Sequence, residues 1–226
     1  MKNAFRQIKL RFLKPVTMKK IFYFLLFICA SCNNDDDAKP QQHGPLETYL
    51  KDNNVSIIKT TKSSIVYSAG NATHRGYIFT PLKDIKLTHV GAKIAETGTF
   101  DVELIEMDGM YIKYDTLVSE DLTINNTENF IYKEIKTPLV LKANKSYLLR
   151  YFNESHSSVY DAGTGSFNAS DPNYIKLPLT IGDIQIKTLY YTYLTQYNGV
   201  YHLGVEGGWS AGILRGLVDI VYEPVN

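Results

Sequence analysis

Short apolar runs broken by turn residues fill the chain from about residue 46 onward, and no window there holds a helical period for three turns. Phe100, Val102 and Leu104 alternate with Asp101 and Glu103, the period-two pattern of a strand with one buried and one wet face. Val218, Ile220 and Tyr222 alternate in the same way with Leu217, Asp219 and Val221, which predicts a last strand over 216–222. Residues 146–152 are nearly continuously apolar apart from Arg150 and read as a central strand. Further strands are expected at 64–68, 75–79, 130–135, 139–141, 184–197 and 201–205. Asp108-Gly109 is a hairpin turn between runs 102–107 and 111–118. Apolar parity changes from odd at Ile85 and Leu87 to even at Val90, Ala92 and Ile94, which predicts a bulge near His89-Val90-Gly91. Residues 46–50 are expected to make one helical turn, and the polar stretch 153–172 a long loop. About ten strands at roughly 8–12-residue spacing predict an all-β fold, a jelly-roll-like antiparallel β-sandwich.

The first 31 residues follow another pattern. Lys2, Arg6, Lys9, Arg11, Lys14, Lys19 and Lys20 precede an apolar run over 21–29, and no acidic residue occurs there. That run is far shorter than the ~20 residues that span a bilayer, and the order positive, apolar, small is that of a secretory signal. Met18-Lys19-Lys20-Ile21 makes a complete signal start by itself, so both Met1 and Met18 fit as the first residue. Cys29-Ala30-Ser31-Cys32 resembles the lipobox of bacterial lipoproteins, with Cys29 where an aliphatic residue is usual. The resemblance implies cleavage before Cys32, lipidation of Cys32 and a membrane anchor in which each buried CH₂ contributes ~0.8 kcal/mol. Asn33-Asn34-Asp35-Asp36-Asp37 resembles the surface-export signal of some Gram-negative lipoproteins, which implies an outer-membrane protein displayed at the cell surface. A solvated acidic tether is the plainer reading of the same run. The expected division is a signal peptide at 1–31, a lipidated acidic and Pro-rich tether at 32–45, and the sandwich at 46–226.

Charge changes meaning under this division. The whole chain of 226 residues carries a formal charge of +1. Removing the seven basic residues of the signal leaves 17 basic against 23 acidic residues, a formal charge of −6. No nucleic-acid partner is expected of such a domain, because nucleic-acid binders carry a basic excess. Both cysteines lie ahead of the domain, Cys29 in the signal and Cys32 at the start of the tether. The domain therefore relies on its core, which at this size buries about 70% of the unfolded chain's surface.

Candidate chemistry is sparse. Gly208-Trp209-Ser210-Ala211-Gly212 fits the G-x-S-x-G nucleophile pattern, but it leads into a strand and no histidine follows Ser210. His43, His74, His89, His156 and His202 show no metal-ligand spacing. Asp161, Asp171 and Asp183 fall in or near expected loops and are the candidates for a structural Ca²⁺, with ordinary turn chemistry as the alternative. No catalytic residue is identified. Outside the signal region the chain holds 16 Tyr, five Phe and one Trp, and this aromatic content is the more informative feature. Tyr191 and Tyr193 read as core by strand alternation. Tyr190 on the opposite face, Tyr197, Tyr201 and His202 around the Asn198-Gly199 turn, and Trp209 in a Gly-rich loop are the candidate ligand-binding residues. Such a set would form a stacking platform for sugar rings, with polar groups alongside.

Three stretches carry a resemblance. They are Gly76-Tyr77-Ile78-Phe79-Thr80-Pro81 followed by Asp84-Ile85-Lys86-Leu87-Thr88 and Gly91, then Lys142-Ala143-Asn144-Lys145-Ser146-Tyr147, then Leu217-Val218-Asp219-Ile220-Val221-Tyr222. Over 65–223 the chain resembles a family of bacterial β-sandwich domains of unknown function. The resemblance implies a jelly-roll-like sandwich in a secreted or cell-surface protein and supplies no catalytic residues. The expected function is that of a lipid-anchored envelope protein binding a glycan or another surface component. A structural or adhesive protein–protein module is the second expectation, and a glycan hydrolase with unrecognised carboxylates the third.

Overall fold

A computed structural model describes residues 43–61, 72–108, 111–152, 158–164, 169–197, 200–206 and 212–225. The signal segment, Cys32, the expected strand at 64–68, Trp209 and Ser210 lie outside the described residues. Helix α1 (Pro45–Asp52) comes first, followed by β1 (Ile57–Thr61), β2 (Ala72–Pro81), β3 (Ile85–Lys93) and β4 (Gly98–Asp108). Then come β5 (Tyr111–Ile124), β6 (Ile131–Leu141), β7 (Tyr147–Phe152), β8 (Ser158–Gly163) and β9 (Leu179–Ile181). The last four are β10 (Ile184–Tyr197), β11 (Val200–Glu206), β12 (Ile213–Arg215) and β13 (Leu217–Pro224).

The strands form three antiparallel sheets. The largest runs β11-β10-β2-β7-β4-β5, with β9 also pairing β10. A second runs β13-β3-β6, and a third β1-β8-β12. Gly216 joins β12 to β13, so the chain passes from the third sheet to the second through one residue. The chain neighbours β2/β3, β3/β4, β5/β6 and β6/β7 each lie in different sheets. This repeated crossing makes the all-β, sandwich-like fold that the alternation predicts.

One core joins the layers. Tyr77, Phe79, Leu104 and Leu149 of the large sheet meet Val90, Ala92, Val218 and Ile220 of the second, all fully buried. The Tyr77 and Phe79 rings meet edge-on at 6.1 Å, and Phe79 lies 5.8 Å from Tyr147, separations at which aromatic pairs attract.

Several boundaries differ from the sequence expectation. β6 is one strand where two short runs were expected, although Pro138 interrupts its pattern. Pro138 falls between Glu134 and Leu139, in a stretch without a register partner in β3, so its missing N–H breaks no ladder bond there. The bulge falls at Thr88, just ahead of the expected position. Val221 pairs His89 while Tyr222 pairs Leu87, leaving Thr88 to donate its hydroxyl to Val221 O at 3.1 Å. The stretch expected as one long loop contains β8, whose Val159, Tyr160, Asp161 and Ala162 are buried. A short buried run that follows two serines and ends in Gly163 has too little period to stand out.

Candidate functional site

Helix α1 has eight residues, fewer than a helix needs to hold itself in water. Pro45 presets its first φ angle, and Leu46 and Leu50 anchor its apolar side in the core. Its N-cap is Gly44, with no side chain to take the free N–H groups of the first turn. A residue far along the chain does so. Leu46 N–H donates to Asp219 Oδ1 at 3.1 Å and Glu47 N–H donates to Asp219 Oδ2 at 2.8 Å. Asp219 is fully buried on β13 and also accepts from its neighbour's Ile220 N–H at 2.9 Å. It is thus an N-cap supplied by another strand.

Tyr132 of β6 completes the join. Its hydroxyl has one proton to donate, with Asp219 Oδ2 at 2.9 Å and Glu47 Oε2 at 3.0 Å in reach, and it accepts from Gly44 N–H at 3.0 Å. His43 Nδ1 lies 2.9 Å from the same Glu47 oxygen. Burial pushes the Asp219 carboxyl up to about 7, although its backbone donors and Tyr132 pull the other way. Burial and the nearby Asp219 charge push the Tyr132 hydroxyl well above its ordinary value, so it keeps its proton. The reach across strands depends on a bare backbone between them. Asp219 and Tyr132 both pair with Gly91 of β3, where a Cβ would stand 2.3 Å from Tyr132 Cδ1.

The helix held this way forms one wall of a solvent-open cleft of about 540 Å³, within the range of small-ligand sites. Thr48, Tyr49 and Asp52 face it from α1, with Asn53 at the helix end. Thr180, Ile181 and Gly182 come from β9 and the turn after it, and Val221 and Tyr222 from β13. Asp183 N–H donates to Tyr222 Oη at 2.9 Å, which fixes that hydroxyl. Gly182 has φ +54°, and a Cβ there would lie 2.7 Å from Tyr222 Oη, so a glycine keeps the floor open. Two half-buried tyrosines with hydroxyl, amide and carboxylate groups beside them give an apolar surface with a few placed polar groups.

A second polar arrangement lies on the face of the large sheet opposite the core. Glu103 pairs across strands with Arg150, Arg150 with Gly76, and Gly76 with Tyr190. Arg150 Nε donates to Glu103 Oε2 at 2.7 Å, and its Nη1 donates across Gly76 to Tyr190 Oη at 3.2 Å. Beside this row Ile105, Met107 and Leu148 bury the Tyr190 ring to 3% exposure. His74 packs 5.1 Å from Phe152, and burial with the Arg150 charge lowers its imidazole to about 4, so it is neutral at neutral pH.

The residues singled out in sequence are spread over the fold. Tyr190 belongs to this Arg150 row rather than to the cleft. Tyr197, Tyr201 and His202 have described backbone positions on the β10–β11 hairpin, where Gln196 pairs Tyr201 and Thr195 pairs His202. The three aspartates occupy separate settings. Asp161 is buried on β8 within the fields of Arg75 and Arg215, with burial raising its carboxyl above the ordinary range. Asp171 accepts from Asn173 N–H at 2.9 Å, and Asp183 pairs with Lys83 at 3.1 Å. Among the described residues no three metal-ligating side chains converge. Tyr49, Asp52 and Tyr222 escaped the sequence reading, since nothing local marks residues that far apart as neighbours. A search across known proteins finds no family model and no curated protein that matches this chain.

Proposed function

We propose that this chain is a lipid-anchored protein of the bacterial cell envelope, carried on the outer membrane, whose sandwich binds a glycan. The observation that carries the reading is the cleft between α1, β9 and β13, with Tyr49 and Tyr222 beside Asp52 and Asn53. Aromatic rings give sugar C–H faces an apolar surface, and the polar groups fix orientation. The address supports the envelope placement: a short signal ending in Cys29-Ala30-Ser31-Cys32, then an acidic tether. An array of envelope and plant oligosaccharides, probed with the full chain in detergent, tests the binding. Selective retention of one or a few sugars is expected, and an array that retains nothing sinks the glycan reading. Cys32→Ala is expected to move the protein from the membrane fraction to the soluble fraction, and continued sedimentation with membranes would remove the lipid anchor.

A protein partner is the second reading, favoured by a different observation. β1 is an edge strand among the described residues, pairing β8 alone, and its Ile57 and Ile58 are 37% and 42% exposed. An open edge carrying apolar side chains is a template for strand addition.

A further inference from the structure

We infer that the cleft beside α1 takes an uncharged sugar and discriminates against acidic ones such as uronates, an inference that rests on the glycan reading above. Charge decides the class. Apart from its tyrosines, the ionisable side chains lining the cleft are His43 and Asp52, with no lysine or arginine among the described lining residues. His43 faces the Glu47 carboxylate at 2.9 Å, so any positive charge on it is already matched. A uronate in this space would meet the Asp52 carboxylate without a compensating cation, and like charges across a binding site favour the wrong partner's rejection.

The neutral groups fit hydroxyl chemistry. Thr48 Oγ1 donates its proton to Gly44 O at 2.9 Å, so it faces a ligand as an acceptor. Asn53 Nδ2 donates one of its two protons to Tyr49 O at 2.9 Å, which leaves its other N–H and its carbonyl oxygen on offer. Thr180 Oγ1 accepts from Gln185 Nε2 at 3.1 Å and keeps its own proton to give. With Asp52, the lining offers acceptors and donors side by side. Sugar hydroxyls both donate and accept, whereas a carboxylate can only accept. The cleft is also built before the ligand arrives. Asp219 and Tyr132 hold α1, and Asp183 N–H holds the Tyr222 hydroxyl, so little ordering remains to be done on binding.

Calorimetric titration of the full chain in detergent tests this. The probes are neutral gluco-, manno- and galacto-oligosaccharides, oligogalacturonate of equal length, and the free monosaccharides. At least one neutral oligosaccharide is expected to bind at least tenfold more tightly than oligogalacturonate, a gap of about 1.4 kcal/mol. A monosaccharide binding as tightly as its oligomer identifies a soluble sugar as the ligand, and a weaker one identifies a polysaccharide segment; both outcomes support the uncharged class. Asp52→Lys changes an exposed side chain and is expected to narrow the neutral-to-acidic gap roughly fivefold. Thr180→Val, also exposed, is expected to weaken the neutral sugar roughly fivefold by removing the donor. Oligogalacturonate binding as tightly as every neutral sugar overturns the inference while leaving the glycan reading standing. So does a neutral-sugar preference that neither variant alters, because the sugar then sits elsewhere. Binding of no saccharide at all overturns the glycan reading and the inference together.

Discussion

Asp219→Ala is expected to destabilise the protein by about 4 kcal/mol and to lower its melting temperature by roughly 10 °C. The change removes one carboxylate that receives the N–H groups of Leu46, Glu47 and Ile220 and faces the Tyr132 hydroxyl. Each donor left buried without a partner costs about 1–3 kcal/mol, and partial rewetting at the helix end limits the sum. Fluorescence-detected melting measures the loss, and a drop under about 2 °C would show that α1 docks without its remote cap. The same carboxyl gives a pH signature. Its folded value of about 7 stands above the ordinary 3.8, so between these two values the folded chain binds the proton that the unfolded chain has lost. The stability contributed by Asp219 is therefore fully present below about pH 4 and declines as pH rises through about 7. The melting difference between wild type and Asp219→Asn is expected to shrink over that window and to level off above it. Subtracting the variant cancels the other carboxyls, Asp161 among them.

Gly76→Ala is expected to cost roughly 3 kcal/mol, from overpacking at a place where side-chain rearrangement cannot relieve it. A Cβ at position 76 would stand 1.9 Å from Leu149 O and 2.7 Å from Arg150 Cα. Both are backbone atoms of β7, the strand between β2 and β4, so relief requires the large sheet to open. Position 76 is also the gap across which Arg150 reaches Tyr190. Urea unfolding reads the effect as a lower midpoint at unchanged slope. A loss below about 1 kcal/mol would mean that β2 and β7 separate easily.

Alternation made the sandwich legible, because long strands such as β4 are buried mainly on one face and carry their apolar residues in step. Phe100, Val102 and Leu104 point into the core as their spacing predicts. Short strands were hidden: β9 and β12 have three residues each, too few for any period to show. β1 was missed because Ile57 and Ile58 are adjacent and both exposed, so they do not alternate. The site was harder to read. Asp219 occupies the polar place in an alternating run and looks like a residue facing water. It faces instead the first turn of a helix more than 170 positions earlier in the chain. A carboxylate set among Leu217, Val218 and Ile220 is the signal that could have been weighed. Tyr49 and Tyr222 become neighbours only once α1 lies on β13, a tertiary fact that local pattern does not encode.

The capping of α1 also sets how the domain bears mechanical load. Tension on the chain ahead of His43 enters the fold at Gly44, and the first strong attachments it meets are Gly44 N–H to Tyr132 and the two N–H groups held by Asp219. These bonds cluster at the first turn of one short helix, so a pull is concentrated on a few contacts before it reaches the strand ladders of the core. The helix would peel first while the sandwich behind it stayed closed. Because α1 is also a wall of the cleft, a stretched chain would lose that cleft before it lost its fold.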